Sequence, residues 1–212
     1  MSTVLAYDPT RRTNAALVAD LRRLGYLGDN APTLDVTYGE GRWWKEWRPR
    51  HLTASDLYAS GARDGLIVHP WDYLALPLTD RSFQAVVLDP PYKLNGTSTG
   101  AGPSAADAGY GVGTWTSAEA RMAEVDAAIV ECARVSADVL VVKCQDQVNS
   151  GRKRWQTHRF ADIGEACGMR LVDMLHVAGY RAQPSGRRVM HSASNYSTAL
   201  VFRHPPTRSR RS

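Results

Sequence analysis

The segment Asp89-Pro90-Pro91-Tyr92 combines residue types that suit the binding of a flat amine. It directly follows the apolar run Ala85–Leu88, which predicts a buried β-strand. Two prolines stiffen the turn and remove two backbone donors, which leaves the Asp89 carboxylate and the Pro90 carbonyl as acceptors. Such a pair can bond both hydrogens of an exocyclic NH2 group, and the Tyr92 ring offers a face for stacking. The pattern therefore indicates chemistry at the amine of a planar heterocycle.

Acidic residues also stand at the ends of three earlier predicted strands: Asp35, Asp56 and Asp72. Asp56 lies 21 residues after Asp35, close to the roughly 20-residue spacing at which an acid reaches a ribose hydroxyl. Aspartates also commonly cap helices and turns, which is the plain alternative for each one alone. Since ligands of open α/β sheets bind beyond the carboxyl ends of the strands, the four acids together predict a binding edge.

A glycine turn follows the first predicted strand, in the order Asp35-Val-Thr37-Tyr-Gly39-Glu-Gly41. Gly39 and Gly41 permit a tight turn and a close approach of the backbone to a ligand. The sequence has neither a third glycine in the dinucleotide-binding pattern nor a Gly-Lys-Ser/Thr element here. The turn thus fits a nucleotide-like ligand, but not a dinucleotide or a P-loop.

The surrounding elements predict an open, doubly wound α/β sheet. Apolar segments predict seven strands at 33–37, 51–55, 66–69, 85–88, 139–143, 170–177 and 197–202. Amphipathic segments predict helices at 12–24, from a capping box at Thr116 and Glu119 to Cys132, and at 155–167. The middle strands are continuously apolar, as in a mostly parallel sheet covered on both faces, and the last two suit an antiparallel pair. Lys143 and Gln145 lie at the end of the fifth strand, on the same edge.

The composition predicts one domain. The chain has 212 residues, a net charge of +5 and a pI near 9.3. We assign residues 1–203 to a single domain with a mobile, glycine-rich loop at 93–115, and residues 204–212 to a basic, disordered tail. The three cysteines lack metal-ligand spacing and read as reduced core residues. We expect no metal, no membrane span and no signal segment, and hence a cytoplasmic protein.

These motifs resemble those of the amino-methyltransferases, S-adenosylmethionine-dependent enzymes that methylate exocyclic amines of nucleobases. The resemblance covers roughly residues 33–202 and is closest to small phage and bacterial DNA adenine-N6 methyltransferases. It implies a class I, Rossmann-like methyltransferase fold with a seven-stranded sheet and an antiparallel last strand. It also implies a location in a bacterium or a phage-infected host cell. In the family, Asp at the first motif position is commoner in adenine enzymes and Ser in cytosine-N4 enzymes.

The resemblance also implies roles for individual residues. The catalytic motif would be Asp89, Pro90, Pro91 and Tyr92, with Tyr92 stacking on a base flipped out of the helix. The cofactor S-adenosylmethionine would be bound by Asp35, Thr37, Gly39, Gly41, Asp56, Trp71, Asp72 and Asp89. In this assignment the glycine turn wraps the methionine part, Asp56 takes the ribose, and Asp72 with Trp71 or Tyr73 takes the adenine.

Two basic regions suit a nucleic-acid partner. A rim for phosphates would comprise Lys93, Arg152, Lys153, Arg154, Arg181, Arg187 and Arg188, together with Tyr92. The segment at 42–50 mixes Trp43, Trp44 and Trp47 with cations, which suits either base stacking or a tryptophan pair in the core, and we favour the core.

The sequence departs from the family pattern in three ways. The family's Phe-x-Gly element is not recognisable near the N-terminus, bulky residues follow Gly41, and the chain has no insert the size of a separate recognition domain. DNA is the expected partner of a monomer or dimer. An RNA methyltransferase acting on adenine N6 or guanine N2, a catalytically silent nucleic-acid-binding subunit, and methylation of a small molecule or a protein amide remain alternatives.

Overall fold

The computed structural model describes residues 11–92, 94, 117–179, 191–192 and 194–206. Several residues singled out in the sequence lie outside these ranges: Lys93, Arg181, Arg187, Arg188, most of the loop predicted at 93–115, and the tail from 207 onwards. Leu94 is described and is buried. At the other end of the domain, the backbone N–H of His204 donates to the carbonyl of Asp138 at 2.9 Å.

An eight-stranded sheet forms the centre of the described structure, with a separate two-stranded hairpin beside it. The strands are β1 (Thr33–Asp35), β2 (Leu52–Ser55), β3 (Gly61–Arg63), β4 (Leu66–His69), β5 (Phe83–Leu88), β6 (Ser136–Cys144), β7 (Gln147–Asn149), β8 (Arg152–Arg154), β9 (Arg170–Ala178) and β10 (Tyr196–Arg203). Their order in the sheet is β3-β4-β2-β1-β5-β6-β10-β9, while β7 and β8 pair with each other.

The middle of the sheet is parallel, and its outer strands are antiparallel. β1 pairs in parallel with both β2 and β5, and β5 pairs in parallel with β6. β10 runs antiparallel to β6 and β9, which confirms the prediction for the last strand. The predicted number of seven strands is too low, because β3 folds back on β4 through a turn at Asp64 and Gly65. β3 is short and largely exposed, so it lacks the apolar signal of a core strand.

Helices cover both faces of the sheet. They are α1 (Asn14–Arg23), α2 (Ala118–Val135) and α3 (Gln156–Ala166). Leu17, Val18 and Leu21 of α1 pack against one face together with Trp43 and Trp44. The other face carries α2 and α3. Successive strand residues alternate between the two cores, so both faces of the middle strands are apolar.

The cap of α2 differs from the prediction. Ser117, one residue after Thr116, is the N-cap, and its side chain accepts a hydrogen bond from the Ala120 N–H at 3.1 Å. This shift places Glu119 outside the capping-box position. Glu119 instead forms an ion pair with Arg159 of α3, so it joins the two helices on that face.

Two further findings apply to the described residues. None of their helices is long and apolar enough to cross a membrane. Their His, Cys, Asp and Glu side chains form no group of three or more that could hold a metal ion.

Candidate active site

Four acidic residues meet at one edge of the sheet, as the sequence predicted. Asp72 follows β4, Asp56 follows β2, Asp35 ends β1 and Asp89 follows β5. These strands are adjacent and parallel in the order β4-β2-β1-β5, so their carboxyl ends lie side by side. Lys143, near the end of β6, extends the row by one strand.

The glycine turn lies at the centre of this edge. Gly39 and Gly41 have φ angles of 53° and 66°, in the left-handed region that favours glycine. A Cβ at Gly41 would lie 2.7 Å from the Tyr38 hydroxyl, whereas a Cβ at Gly39 would meet nothing closer than 3.9 Å. The turn is therefore tight beneath Gly41, and the backbone at Gly39 is open to a close neighbour.

The carboxylate of Asp56 fixes the same turn. Its Oδ2 accepts a hydrogen bond from the Gly39 N–H at 2.9 Å. Its Oδ1 accepts from the backbone N–H groups of Tyr58 and Ala59, each at 2.9 Å. The Gly39 carbonyl in turn accepts from the Arg63 guanidinium. Asp56 thus links the glycine turn to the loop that follows β2.

Asp35 is turned into the protein. Its side chain accepts from the Trp44 indole N–H at 2.7 Å and from the Thr37 backbone N–H at 2.9 Å, and the residue is 2% exposed. Burial raises the pKa of Asp35 to about 7, against the lowering effect of these hydrogen bonds. The described geometry therefore gives Asp35 a role in holding the turn from below.

Thr37 connects the glycine turn to the Asp-Pro-Pro-Tyr motif. Its hydroxyl accepts a hydrogen bond from the Asp89 backbone N–H at 2.8 Å and approaches Asp35 Oδ1 at 3.4 Å. The side chain thus joins the ends of β1 and β5. A shift of the backbone in the glycine turn is therefore expected to move the Asp-Pro-Pro-Tyr turn as well.

The Asp89 carboxylate is held by several side chains. Oδ2 accepts from the Trp43 indole N–H at 2.7 Å and from the Asn14 amide at 3.2 Å, and the Lys143 ammonium lies 3.5 Å away. Oδ1 accepts from the Tyr92 hydroxyl at 2.6 Å. The Lys143 ammonium also donates to the Tyr92 hydroxyl.

Lys143 is nearly inaccessible, with 4% exposure, so the nearby carboxylate offsets the cost of burying its charge. Burial and the Asp89 charge raise the pKa of Tyr92 well above its ordinary value. The phenol therefore stays protonated and donates to Asp89.

Two acceptor positions of the motif remain available among the described contacts. A carboxylate has about four lone-pair sites, and Asp89 Oδ1 receives only the Tyr92 hydroxyl from the described part of the chain. The Pro90 carbonyl accepts no hydrogen bond from these residues either. The Pro91 carbonyl, by contrast, accepts from the buried Arg121 at 3.1 Å. The acceptor pair expected from the sequence is thus present.

Trp71 and Asp72 lie at the far end of the row. The Trp71 ring stacks on His69 at a centroid distance of 4.3 Å and an interplanar angle of 10°. Asp72 Oδ1 accepts from the Leu74 N–H at 2.9 Å and so caps a short turn. Both residues follow β4, which pairs with β2, the strand that Asp56 follows.

The basic segment at 152–154, expected to contribute to a rim for phosphates, is strand β8 of a hairpin. The hairpin's turn residues, Ser150 and Gly151, have positive φ angles of 49° and 72°, which suit a tight hairpin turn. Lys153 donates to the Ser194 hydroxyl at 2.9 Å. The hairpin follows β6, so it lies at the same edge of the sheet as Lys143.

Several functional partners were missed or only partly anticipated from the sequence. Trp43 and Trp44 are buried, which confirms the core interpretation, yet each indole N–H also binds one of the strand-end acids. The run of tryptophans directly after Gly41 was the available signal. Asn14 and Arg121 carried none, because each reaches the motif from a distant helix.

No protein-family model and no curated protein sequence matches the chain. Solved structures do match it. Magnesium protoporphyrin IX methyltransferase from Synechocystis PCC 6803, with bound SAH, has a TM-score of 0.54 and 13% identity over 91% of this chain and 81% of its own. The N-methyltransferase NodS from Bradyrhizobium japonicum WM9 has a TM-score of 0.52 and 14% identity over 89% and 86%.

The chain has the class I methyltransferase fold. The cyclase SpnF shares it as well, with a TM-score of 0.53 and 14% identity over 92% of this chain and 84% of its own. At such identities the likeness describes the fold alone. The reaction has to be argued from the residues of the site.

Proposed function

We propose that the protein transfers a methyl group from S-adenosylmethionine to the N6 amine of adenine in DNA. One observation carries the proposal: the Asp-Pro-Pro-Tyr turn and the glycine turn end adjacent parallel strands and are joined through Thr37. An acceptor pair for an amine thus lies next to a backbone turn suited to a nucleoside-like cofactor. The class I methyltransferase fold supports this arrangement.

The residues at the edge fit S-adenosylmethionine. Gly39 leaves space on the side where a Cβ would stand, since a Cβ there would meet nothing closer than 3.9 Å. Asp56 lies beside it, in the position expected for an acid that binds ribose hydroxyls. Trp71 and Asp72, two strands from Gly39, would hold the adenine ring and its amine. When bound, the cofactor supplies a sulfonium methyl whose carbon–sulfur bond breaks, with the electron pair on sulfur, as the amine nitrogen bonds to the carbon.

The chain's own residues position the amine. Asp89 Oδ1 and the Pro90 carbonyl would each accept one of its N–H groups, which directs the nitrogen lone pair away from the acceptors. An adenine amine is too weak an acid for deprotonation beforehand, so the proton leaves after methyl transfer. The Asp89 carboxylate, hydrogen bonded to that N–H, is the base within reach. Trp43, Asn14 and Lys143 hold the carboxylate in this orientation.

Three features support adenine in DNA as the acceptor. The motif begins with Asp, as is commoner in the adenine enzymes that the sequence resembles. Tyr92 ends the motif and offers a ring for a flipped base. The net charge of +5 and the basic hairpin favour a polyanionic partner. The chain would act in the cytoplasm of a bacterium or of a phage-infected host cell.

The direct test is to incubate the purified protein with S-adenosylmethionine and unmethylated DNA or RNA, then to analyse the digested nucleosides by mass spectrometry. We expect the digest of the DNA to contain N6-methyldeoxyadenosine. A methylated adenine or guanine from RNA alone would contradict the DNA assignment. If no methylated base forms while S-adenosylmethionine binds, the protein is a silent subunit or acts on another acceptor, and the proposal is wrong.

Asp89→Ala provides the test at the residue level. Loss of the amine acceptor should lower methyl transfer at least about a hundredfold, while the affinity for S-adenosylmethionine measured by calorimetry stays within about threefold. Asp80→Ala is the matched control, because Asp80 precedes the same strand at its opposite end and is largely exposed. Full activity of the Asp89 variant would refute the assigned role.

A further inference from the structure

The hairpin of β7 and β8 ends in an exposed tryptophan. Trp155 follows β8 directly and is 55% exposed, although indole rings are usually buried. The ring is nevertheless supported. The Lys153 ammonium lies 5.1 Å from its centroid, and His158 meets it edge-on at 5.7 Å. Trp155 is therefore a held aromatic surface that faces solvent.

The hairpin is braced against the segment before β10. Lys153 donates to the Ser192 carbonyl at 3.1 Å and to the Ser194 hydroxyl. A ring nitrogen of His191 lies 2.9 Å from the Gly151 carbonyl. These contacts fix both the turn of the hairpin and the lysine that supports Trp155, so the surface is organised before any partner binds.

The cations of the hairpin are not neutralised by described acidic residues. Arg152, Lys153 and Arg154 form no ion pair with any carboxylate in the part of the chain that the structure describes. Other arginines are paired: Arg134 with Glu131 and Asp80, and Arg159 with Asp126 and Glu119. The hairpin thus presents positive charge around an exposed ring.

Trp155 also adjoins the candidate active site. The next residue, Gln156, is buried and donates through its amide to the Tyr92 carbonyl at 3.3 Å. The residue after Trp155 therefore contacts the Asp-Pro-Pro-Tyr turn directly, which places the exposed ring next to that turn in the chain. A strand of nucleic acid with one base at Asp89 would place a neighbouring nucleotide near Trp155.

We propose that Trp155 stacks on an unpaired base next to the target nucleotide, while Arg152 and Lys153 contact the adjoining phosphates. Aromatic rings among cations bind single-stranded nucleic acid in this manner, because every base has a face for stacking and every nucleotide carries a phosphate. The preferred substrate is therefore a single-stranded or locally unpaired strand. The inference rests on the proposed function for the position of the target base, and on the hairpin alone for the binding itself.

Binding without cofactor tests the inference separately from methyl transfer. The probes are three short fluorescein-labelled oligonucleotides of mixed sequence: a single-stranded DNA, an RNA and a duplex DNA. Their affinity for the protein is measured by fluorescence anisotropy at two salt concentrations. Trp155→Ala should weaken single-strand binding at least about fivefold. Trp155→Phe should retain most of the affinity, and Val130→Ala, which removes an exposed apolar group on α2, should have no effect. Intrinsic fluorescence quenching on binding should be reduced in Trp155→Ala.

The outcomes separate the two proposals. If Trp155→Ala weakens binding but the wild type methylates no nucleic acid, the stacking role stands and the methyltransferase function fails. If the wild type methylates DNA and the variant binds single strands normally, the function stands and the inference is wrong. The inference would be overturned if the wild type preferred duplex DNA or bound no nucleic acid. It would also be overturned if Trp155→Ala changed the sedimentation of the protein without nucleic acid, because Trp155 would then belong to a contact between protein molecules.

Discussion

Asp35 and Asp89 end neighbouring strands in different electrostatic surroundings. Asp35 is buried among neutral donors, the Trp44 indole and the Thr37 backbone N–H, and its pKa rises to about 7 because burial disfavours the charge. Asp89 has the Lys143 ammonium at 3.5 Å and a partly exposed carboxylate. One residue type thus supports a turn in the first position and offers an acceptor to a ligand in the second.

The raised pKa of Asp35 predicts a pH-dependent stability. The folded state binds an extra proton between the unfolded pKa near 3.8 and the folded value of about 7. The free energy of unfolding of the wild type, relative to Asp35→Asn, should therefore fall as the pH rises through this window, by up to about 4 kcal/mol. Urea denaturation of both proteins at several pH values measures it.

The comparison with Asp35→Asn removes an opposing effect. Burial lowers the pKa of His176, which makes the folded state more stable as the pH rises, but this contribution is common to both proteins and cancels in the difference. A difference in unfolding free energy that stays constant from acid to neutral pH would mean that Asp35 titrates normally.

The sequence predicted which motif residues lie at the strand ends better than it predicted the side chains that support them. Asp89, Pro90, Gly39 and Gly41 belong to local motifs, so their order alone placed them at strand ends. The two hydrogen-bond donors to Asp89 Oδ2 come from 75 and 46 residues away, at Asn14 and Trp43. Such contacts depend on how helix and turn pack across the sheet, which no local pattern contains.

At the level of elements, α3 packs against β10 through a glycine. A Cβ at Gly164 would lie 2.4 Å from the ring of the fully buried Phe202. Gly164→Ala should therefore destabilise the fold by about 1–3 kcal/mol through overpacking. Adding Phe202→Leu should recover part of the loss, as measured by urea denaturation.

Gly168→Ala is the matched comparison for this prediction. Gly168 follows the end of α3 with a φ of 79°, and a Cβ there would meet nothing within 4 Å. The Gly168→Ala substitution should therefore destabilise the fold only through its backbone conformation, by about 1 kcal/mol. Phe202→Leu should not rescue that variant. Equal effects of Phe202→Leu in both backgrounds would show that the contact between Gly164 and Phe202 is not the cause.

The long elements were predictable from the sequence and the short hairpins were not. β5, β6 and β10 carry continuous apolar residues, and their predicted positions lie within the observed strands. β3 and β8 have three residues each and are partly or largely exposed, so neither hydrophobic pattern nor burial marks them. The turn pairs Asp64-Gly65 and Ser150-Gly151, all with positive φ, were the usable signal.

For the whole molecule, the distribution of charge pairs separates two regions. On the side of α2 and α3, arginines are tied to acids in pairs that join helices to one another and to the loop before β5. On the hairpin after β6, the cations lack described acidic partners. The hairpin thus presents positive charge at the edge of the sheet that carries the candidate site, whereas the composition gives only the total net charge of +5.

The parallel pairing of β5 with β1 and β6 has a consequence for the time at which the site forms. Thr33 pairs with Ala85, and Ala85 pairs with Val139, so these ladders close long loops, whereas Tyr196 pairs with Ala178 across a short one. Long loops cost more entropy to close, so the β9–β10 pair should be protected first in pulse-labelled hydrogen exchange during refolding. Earlier protection of β5 would contradict this order.

The long-range ladder between β1 and β5 brings the strand ends of Asp35 and Asp89 together. A partly folded chain would therefore already contain the β9–β10 ribbon while lacking any competent binding edge. Ligands of that edge would bind only the completed sheet, so they should slow its unfolding without accelerating the earliest steps of its folding.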